Sequence, residues 1–183
     1  MQSAGIGRAA IALAVALLPG ASGGTPQRPA HPPDIHFAST PQPVVNAMLA
    51  LAGVTADDVV YDLGSGDGRV VVVAAQRFGA RGVGIEIDPQ LVERSREIAR
   101  AGGVADRATF VEGDLFTADI SGATVVTLFL SDFINARLES KLKHDLRPGT
   151  RIVSHQFPIG RWKPDTTVRV EGADLFLWTL PAR

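Results

Sequence analysis

The chain has 183 residues and a net charge of −1, and 45% of its residues are hydrophobic while 20% are charged. This is the composition of a globular domain with a real core, and the near-zero charge offers no field for binding nucleic acid through its phosphates, so we expect no nucleic-acid partner. The absence of cysteine excludes a disulfide framework, thiolate catalysis and cysteine-ligated metal sites.

The first residues of the chain do not resemble a folded domain. Arg8 precedes an apolar run over residues 9–18, and proline, glycine and other small residues follow it. A short positive region, an apolar stretch and small residues at a cleavage site are typical of a secretory signal peptide. The apolar run is short for a transmembrane helix. We predict a signal peptide or membrane-anchor segment over residues 1–24, a proline-rich linker over 25–34 and the folded domain over 35–183.

The remaining sequence alternates between the periodicities of helices and strands. The predicted strands are 59–63, 82–87, 108–111, 124–130, 151–154, 168–170 and 175–179. The predicted helices are 41–52, 70–78, 91–101 and 135–146. Strands that alternate with helices imply a mainly parallel sheet with helices on both faces, and the last two strands read as a closing hairpin.

Three glycines directly follow the first predicted strand. Gly64, Gly66 and Gly68 stand in the stretch YDLGSGDG, and ligands of parallel α/β sheets bind beyond the carboxyl ends of the strands. A glycine turn at this point opens the N-terminus of a helix with its free N–H groups. The acids Asp62 and Asp67 disfavour a pyrophosphate and favour a cationic or zwitterionic ligand, which argues against a dinucleotide-dependent oxidoreductase.

Two further acids follow the next two strands. Glu86 ends the second strand, twenty residues after Gly66, where a carboxylate can accept hydrogen bonds from two ribose hydroxyls. Asp114 follows the third strand, where it can accept a hydrogen bond from an adenine amino group. The acids and the glycines together describe a nucleoside with a ribose and an amino-acid tail, without phosphate.

These motifs resemble those of the class I S-adenosylmethionine-dependent methyltransferases. YDLGSGDG is similar to the first motif of that family, GIEID to its second-strand acid, EGDLF to its adenine-side motif and LRPGTRIV to its approach to the fifth strand. The resemblance implies a Rossmann-like, doubly wound, mainly parallel seven-stranded sheet with a C-terminal antiparallel hairpin. It also implies S-adenosylmethionine as the methyl donor, without a metal. The cofactor-binding residues that it implies are Asp62, Gly64, Ser65, Gly66, Gly68, Glu86, Asp114 and Leu115.

A narrower resemblance concerns the acceptor. The opening FASTPQPVV (residues 37–45) and residues 138–165 resemble the small mitochondrial lysine methyltransferases that modify membrane proteins, and their bacterial relatives. The resemblance implies N-methylation of lysine in a protein, which can be a membrane protein. The fourth-strand end, FLSD, lacks the Asn/Asp-Pro-Pro-Tyr signature, which argues against DNA adenine and glutamine as acceptors. A small-molecule methyltransferase and a non-catalytic S-adenosylmethionine-binding module remain alternatives.

Candidate residues for the acceptor side follow the fourth and fifth strands. Asp132 is a candidate for orienting the acceptor amine or accepting its proton, and Ser131 shares that position, with helix capping as the alternative. Trp162 and Phe157 either line a substrate channel or pack against the closing hairpin. Thr40 covers the cofactor if the first helix acts as a lid.

The four histidines, His31, His36, His144 and His155, lack metal-ligand spacing. We interpret them as surface or structural residues and predict no metal site. For His155, which follows the fifth strand, a general base is the alternative role.

The N-terminal segment and the cofactor favour different compartments. The apolar residues 9–18 suggest export or membrane anchoring, whereas S-adenosylmethionine is made in the cytosol. A membrane-tethered enzyme whose domain faces the cytosol reconciles the two, and we predict that arrangement.

Overall fold

A computed structural model describes residues 38–182 of the chain. The predicted signal or anchor segment, the proline-rich linker and the first residues of the predicted domain lie outside this range. Within it, none of the helices combines the length and the apolar character that a membrane span requires.

Seven strands and four helices form the described part of the chain. The strands are β1 (Val59–Leu63), β2 (Arg81–Glu86), β3 (Ala108–Glu112), β4 (Val125–Leu128), β5 (Arg151–His155), β6 (Thr166–Val170) and β7 (Ala173–Thr179). The helices are α1 (Gln42–Leu51), α2 (Arg69–Phe78), α3 (Pro89–Ala101) and α4 (Asp132–Asp145). The sheet has the order β3-β2-β1-β4-β5-β7-β6, and β7 is antiparallel to both of its neighbours. This architecture confirms the predicted doubly wound sheet with its antiparallel hairpin.

Apolar side chains cover both faces of the sheet. All four residues of β4 are buried, and neighbouring residues on it face opposite sides, because side chains alternate along a strand. Val125 packs in the cluster that contains Val45 of α1, whereas Val126 packs in the cluster that contains Leu138 of α4. The continuous apolar run in the sequence is therefore that of a central strand with helices on both sides.

The fourth strand is shorter, and the helix after it longer, than the sequence pattern predicts. β4 ends at Leu128, which pairs with Leu63, the last residue of β1. The glycine turn takes β1 out of the sheet at this point, so the two apolar residues after Leu128 have no partner strand on that side. α4 begins at Asp132 rather than at residue 135.

Gly68 occupies a position that excludes a side chain. Its φ is +75°, and an added Cβ would lie 2.5 Å from Phe110 Cε1 and 2.8 Å from Ser95 Cβ. A left-handed conformation and a clash with packed side chains both oppose a larger residue. We therefore expect Gly68→Ala to lower the free energy of unfolding by about 3 kcal/mol or more.

Gly172 is the matched control for this prediction. Its φ is +81°, but an added Cβ would meet no atom of the described residues within 4 Å, so Gly172→Ala carries the conformational cost alone, about 1–2 kcal/mol. Urea denaturation of the two variants measures the difference. Equal losses would mean that the close packing around Gly68 contributes nothing.

Candidate active site

An open cleft lies beyond the carboxyl ends of β1 and β4, where the strand order of the sheet reverses. Its empty space, counted together with the open solvent at its mouth, is about 350 Å³. Its walls are residues 38–40 ahead of α1, residues of the glycine turn between Asp62 and Val70, and Leu128 and Phe129 at the end of β4. This is the position at which doubly wound folds bind their ligands.

The glycine turn brings backbone close to the cleft. Gly64 has a φ of +75°, and an added Cβ would lie 2.7 Å from Leu130 Cδ2. The N–H groups of Gly64 and Ser65 both donate to the carbonyl of Ile85, at 2.8 and 3.0 Å, which holds the turn against β2. The buried Ser65 Oγ has no hydrogen-bond partner among residues 38–182; it lies beside Gly84 of β2, 2.6 Å from the point that a Cβ of that glycine would occupy.

Glu86 is fixed beside the glycine turn by backbone hydrogen bonds. Its Oε2 accepts from the N–H of Gly66 at 2.8 Å, and its Oε1 accepts from the N–H groups of Ile87 and Asp88 at 2.9 and 3.0 Å. A carboxylate offers about four acceptor positions, so capacity remains for a ligand hydroxyl. These three hydrogen bonds fix the Glu86 side chain before a ligand binds.

The acids of the cleft differ in their ionisation. Burial, opposed by a hydrogen bond from Thr127 and reinforced by the charges of Glu86 and Asp67, raises the pKa of Asp62 to about 7. Burial also acts on Asp67, but hydrogen bonds and charge from Arg69 hold the pKa of that carboxyl below its ordinary value. The Asp62 carboxyl has no cationic partner among these neighbours, and a positively charged ligand would supply one.

The loop after β3 reaches the same edge of the sheet. The N–H of Gly113 donates to the Glu86 carbonyl at 2.9 Å, and Asp114 Oδ1 accepts from the N–H of Phe116 at 2.8 Å. Leu115 Cδ2 lies 3.9 Å from the point that a Cβ of Gly64 would occupy. The structure thus brings together the glycine turn, the second-strand acid and the loop predicted for the adenine side.

Ser131 and Asp132 stand at the start of α4. Ser131 Oγ accepts from the N–H of Ile134 at 3.3 Å and caps the helix. Asp132, for which capping was the alternative role, is instead the first helical residue, and it is exposed. The helix starts one residue after the cap because Ser131 has the extended backbone that an N-cap requires.

Trp162 packs away from the cleft. Its ring centroid lies 5.9 Å from that of Trp178, and its carbonyl accepts from Trp178 Nε1 at 3.0 Å. Lys143 Nζ lies 4.6 Å from the centre of the Trp162 ring. These contacts favour the alternative stated for Trp162, packing against the C-terminal hairpin.

Thr40 ties the segment ahead of α1 to the cleft. Its carbonyl accepts from Arg69 Nη1 at 2.9 Å, and its Oγ1 lies 3.2 Å from His155 Nδ1. Sequence reasoning did not single out Arg69 or Phe129, although both line the cleft. For Arg69 the available signal was its position directly after the last glycine of the turn; Phe129 was hidden inside an apolar run.

In residues 38–182, no group of three or more histidine, aspartate or glutamate side chains is arranged to hold a metal ion.

The sequence model of the ANTKMT methyltransferase domain matches residues 62–166. The chain belongs to this methyltransferase family.

Relatives of this ANTKMT-family chain are known from sequence and from structure. A protein-lysine N-methyltransferase of Saccharolobus islandicus is 43% identical over 144 residues, which are 78% of this chain and 89% of the relative. The mouse adenine nucleotide translocase lysine N-methyltransferase is 36% identical over 115 residues, 63% of this chain. The match spans half the length of the mouse protein (50%).

A solved structure identifies the cofactor of the family fold. The crystal structure of an RNA methyltransferase from Salinibacter ruber contains S-adenosyl-L-homocysteine, and it is 56% identical with a TM-score of 0.78. The match covers 80% of this chain and 95% of that chain. The buried Asp62 carboxyl, which lines the cleft and has acids as its charged neighbours, fits a donor that carries a positive charge. The ANTKMT-family chain is an S-adenosylmethionine-dependent methyltransferase, as its motifs predicted.

Proposed function

We propose that this chain transfers the methyl group of S-adenosylmethionine to a lysine side chain of a protein. The observation that carries the proposal is the Saccharolobus islandicus relative, a protein-lysine N-methyltransferase that the match covers over 89% of its length. Two mouse relatives are lysine N-methyltransferases named for an ATP synthase subunit and for the adenine nucleotide translocase. The acceptor of this chain is therefore sought first among proteins, including those of membranes.

We assign the ribose and the adenine to the acids beyond β2 and β3. Glu86 accepts from the ribose hydroxyls, because its carboxylate is fixed by three backbone donors and keeps acceptor capacity. Asp114 accepts from the adenine amino group, and Leu115 provides apolar surface beside it. Each of these roles follows from the position of the residue at one edge of the sheet.

We assign the methionine portion of the cofactor to the glycine turn. Gly64, Gly66 and Gly68 let the backbone approach it, and Ser65, which also lines the cleft, belongs to the same turn. Asp62 faces its ammonium group in this proposal. The charged neighbours that act on this buried carboxyl, Glu86 and Asp67, are both acids, so a cationic group of the ligand would balance their negative charge.

The protein must orient the acceptor amine and exclude water from the cleft. The cofactor supplies an electrophilic methyl group on a sulfonium. Thr40, held by Arg69 and His155, covers the cleft and keeps water out. Ser131 and Asp132, at the start of α4, orient the incoming amine, and Asp132 accepts its proton in this proposal, since a lysine nitrogen attacks only in its neutral form.

Transfer of labelled methyl groups tests the acceptor class. The full-length protein, incubated with methyl-labelled S-adenosylmethionine, is offered soluble protein, membrane protein and protein-free RNA in separate reactions. We expect label in protein, removed by protease and located on lysine by mass spectrometry. Labelled RNA would overturn the proposal in favour of the acceptor class named for the Salinibacter ruber enzyme, which the net charge of −1 disfavours.

The same reactions separate the remaining alternatives. Label in metabolites alone would assign the chain to small-molecule methyltransferases, and cofactor binding without any transfer would make it a binding module. The apolar residues 9–18 are the basis for a membrane tether, and the cytosolic synthesis of S-adenosylmethionine is the basis for a domain on the cytosolic side. Labelled acceptors in the membrane fraction would agree with this arrangement. A soluble, processed periplasmic form in cell fractionation would contradict the tether.

A further inference from the structure

Three aromatic rings, one of which lines the cleft, stack together beside its β4–β5 edge. Phe129 lines the cleft. The His155 ring lies 4.0 Å from the Phe129 ring, centroid to centroid, with 29° between the planes. The Phe157 ring lies 6.4 Å away at 15°. We call Phe129, His155 and Phe157 the aromatic wall.

An unusual backbone conformation builds the aromatic wall. Gln156, between the last residue of β5 and Phe157, has a φ of +69° although it carries a side chain. The N–H of Phe157 donates to the His155 carbonyl at 2.8 Å, so the chain reverses and both rings face Phe129. Strained conformations of this kind persist where the surroundings hold them, and they cluster at functional sites.

Side chains from two other elements hold the reversed segment. Asn135 Nδ2, on α4, donates to the carbonyl of Phe157 at 3.0 Å, and Ser154 Oγ donates to the same carbonyl at 2.6 Å. The N–H of Gln156 donates to the Asp174 carbonyl at 2.7 Å. The position of Phe157 relative to the cleft is thus set by the fold rather than by an exposed loop.

The charges around the aromatic wall suit a cation. The faces of aromatic rings attract an ammonium group within about 6 Å. Burial lowers the pKa of His155, so its ring is neutral and does not repel a cation. Asp62 and Asp67 line the same cleft, and Arg69, which also lines it, is engaged by Asp67 and by the Thr40 carbonyl.

We propose that the aromatic wall binds the alkylammonium end of the acceptor on the surface of Phe129 that lines the cleft, with His155 and Phe157 stacked on this ring and holding it in place. This inference rests on the proposed lysine acceptor and adds where its side chain enters. It places the acceptor at the β4–β5 edge of the cleft, and neither Trp162 nor the C-terminal hairpin takes part.

A pair of small probes tests the aromatic wall without turnover. Choline and 3,3-dimethylbutan-1-ol have the same shape, but only choline carries a charge. The full-length protein, saturated with S-adenosylhomocysteine, is mixed with each probe, and saturation transfer to the methyl protons is measured by NMR. We expect transfer to choline to exceed transfer to the alcohol by at least about threefold.

Leucine variants locate the binding. Phe129→Leu keeps apolar bulk and removes the aromatic face that lines the cleft, so we expect the ratio of choline to alcohol to fall towards one. Phe176→Leu is the matched control, because Phe176 is a partly buried residue that packs on Trp178, 6.1 Å between ring centroids, and its ratio stays at the native value. Unchanged affinity for S-adenosylhomocysteine shows that each variant is folded, and Phe157→Leu, which removes a ring stacked on Phe129, replaces Phe129→Leu if that variant is not.

Three outcomes would overturn the inference. They are equal transfer to both probes in the native protein, a ratio unaffected by the wall variants, and transfer to cytidine that depends on Phe129 while choline shows none. The last result would assign the aromatic wall to a nucleobase. Because the probes need no methyl transfer, failure here is distinct from failure of the labelling experiment, and the native comparison decides even if both variants fail to fold.

Discussion

Glu86→Gln is expected to raise the dissociation constant for S-adenosylmethionine about 10- to 100-fold, which corresponds to about 1–3 kcal/mol for charge-assisted hydrogen bonds. Glutamine has nearly the shape of glutamate but carries one amide N–H₂ in place of a carboxylate oxygen. In the native protein both oxygens accept from backbone N–H groups, of Gly66 on one side and of Ile87 and Asp88 on the other. The amide must therefore turn a donor towards a donor, whichever way it is oriented, and the ribose loses an ionised acceptor.

Calorimetric titration of the full-length protein measures this effect. Glu97→Gln is the control, because Glu97 is an exposed residue of α3, the helix that directly follows Glu86, and its replacement removes the same charge. We expect native affinity for this control. An unchanged dissociation constant in a folded Glu86→Gln protein would remove Glu86 from the cofactor site.

Asp62→Asn is expected to change how stability depends on pH. The pKa of Asp62 rises from 3.8 to about 7 in the folded protein, so the folded state prefers the neutral carboxyl. The stability that this group contributes is complete below about pH 4, declines as the pH rises towards 7 and is absent above it. The total change is about 4 kcal/mol at most, since one pKa unit corresponds to about 1.4 kcal/mol.

Asparagine keeps the neutral form at every pH and can still accept from Thr127 Oγ1, which lies 2.7 Å from Asp62 Oδ1. Asp62→Asn and the native protein should therefore be about equally stable at pH 4, and the variant should be the more stable at pH 8. Urea denaturation at both pH values measures this difference. The nearby charges of Glu86, Asp67 and Arg69 are common to both proteins and largely cancel in the comparison.

The affinity for S-adenosylmethionine should rise with pH, whereas the stability contributed by Asp62 falls with pH. A ligand ammonium favours ionised Asp62, so the affinity of the native protein for S-adenosylmethionine should rise between pH 6 and pH 8, whereas that of Asp62→Asn should be lower and nearly flat. Asp57→Asn, at an exposed position ahead of β1, serves as the control with native behaviour. A native affinity without pH dependence, together with parallel stability curves, would contradict the ligand-facing role of Asp62.

The order of the elements follows from local pattern alone. Alternating apolar periodicity predicted all seven strands and four helices of residues 38–182, because each element must bury one stripe or face against the sheet. The glycine turn was readable for a similar reason. Gly64, Gly66 and Gly68 adopt positive φ, a local requirement that the residue type itself discloses.

The element ends and the acceptor side depended on contacts that are distant in sequence. β4 stops at Leu128 because its partner strand leaves the sheet, and the cap of α4 is Ser131 rather than Asp132 because of the backbone conformation at that residue. The sequence left two roles open for Trp162, lining a substrate channel or packing against the closing hairpin, and its packing on Trp178 favours the second. No local pattern distinguishes these alternatives.

For this protein, residue type and spacing predicted the doubly wound sheet and a nucleoside-like ligand, because glycines, strand-end acids and apolar periods act within short segments. The resemblance of its motifs implied the methyltransferase family and its cofactor. The fold alone decided that Phe129, His155 and Phe157 stand together, and that Arg69 donates a hydrogen bond to the Thr40 carbonyl beside the cleft. His155 and Thr40 are 115 positions apart in the chain. Such contacts arise when parallel strands bring their carboxyl ends to one edge, which is a property of the assembled sheet.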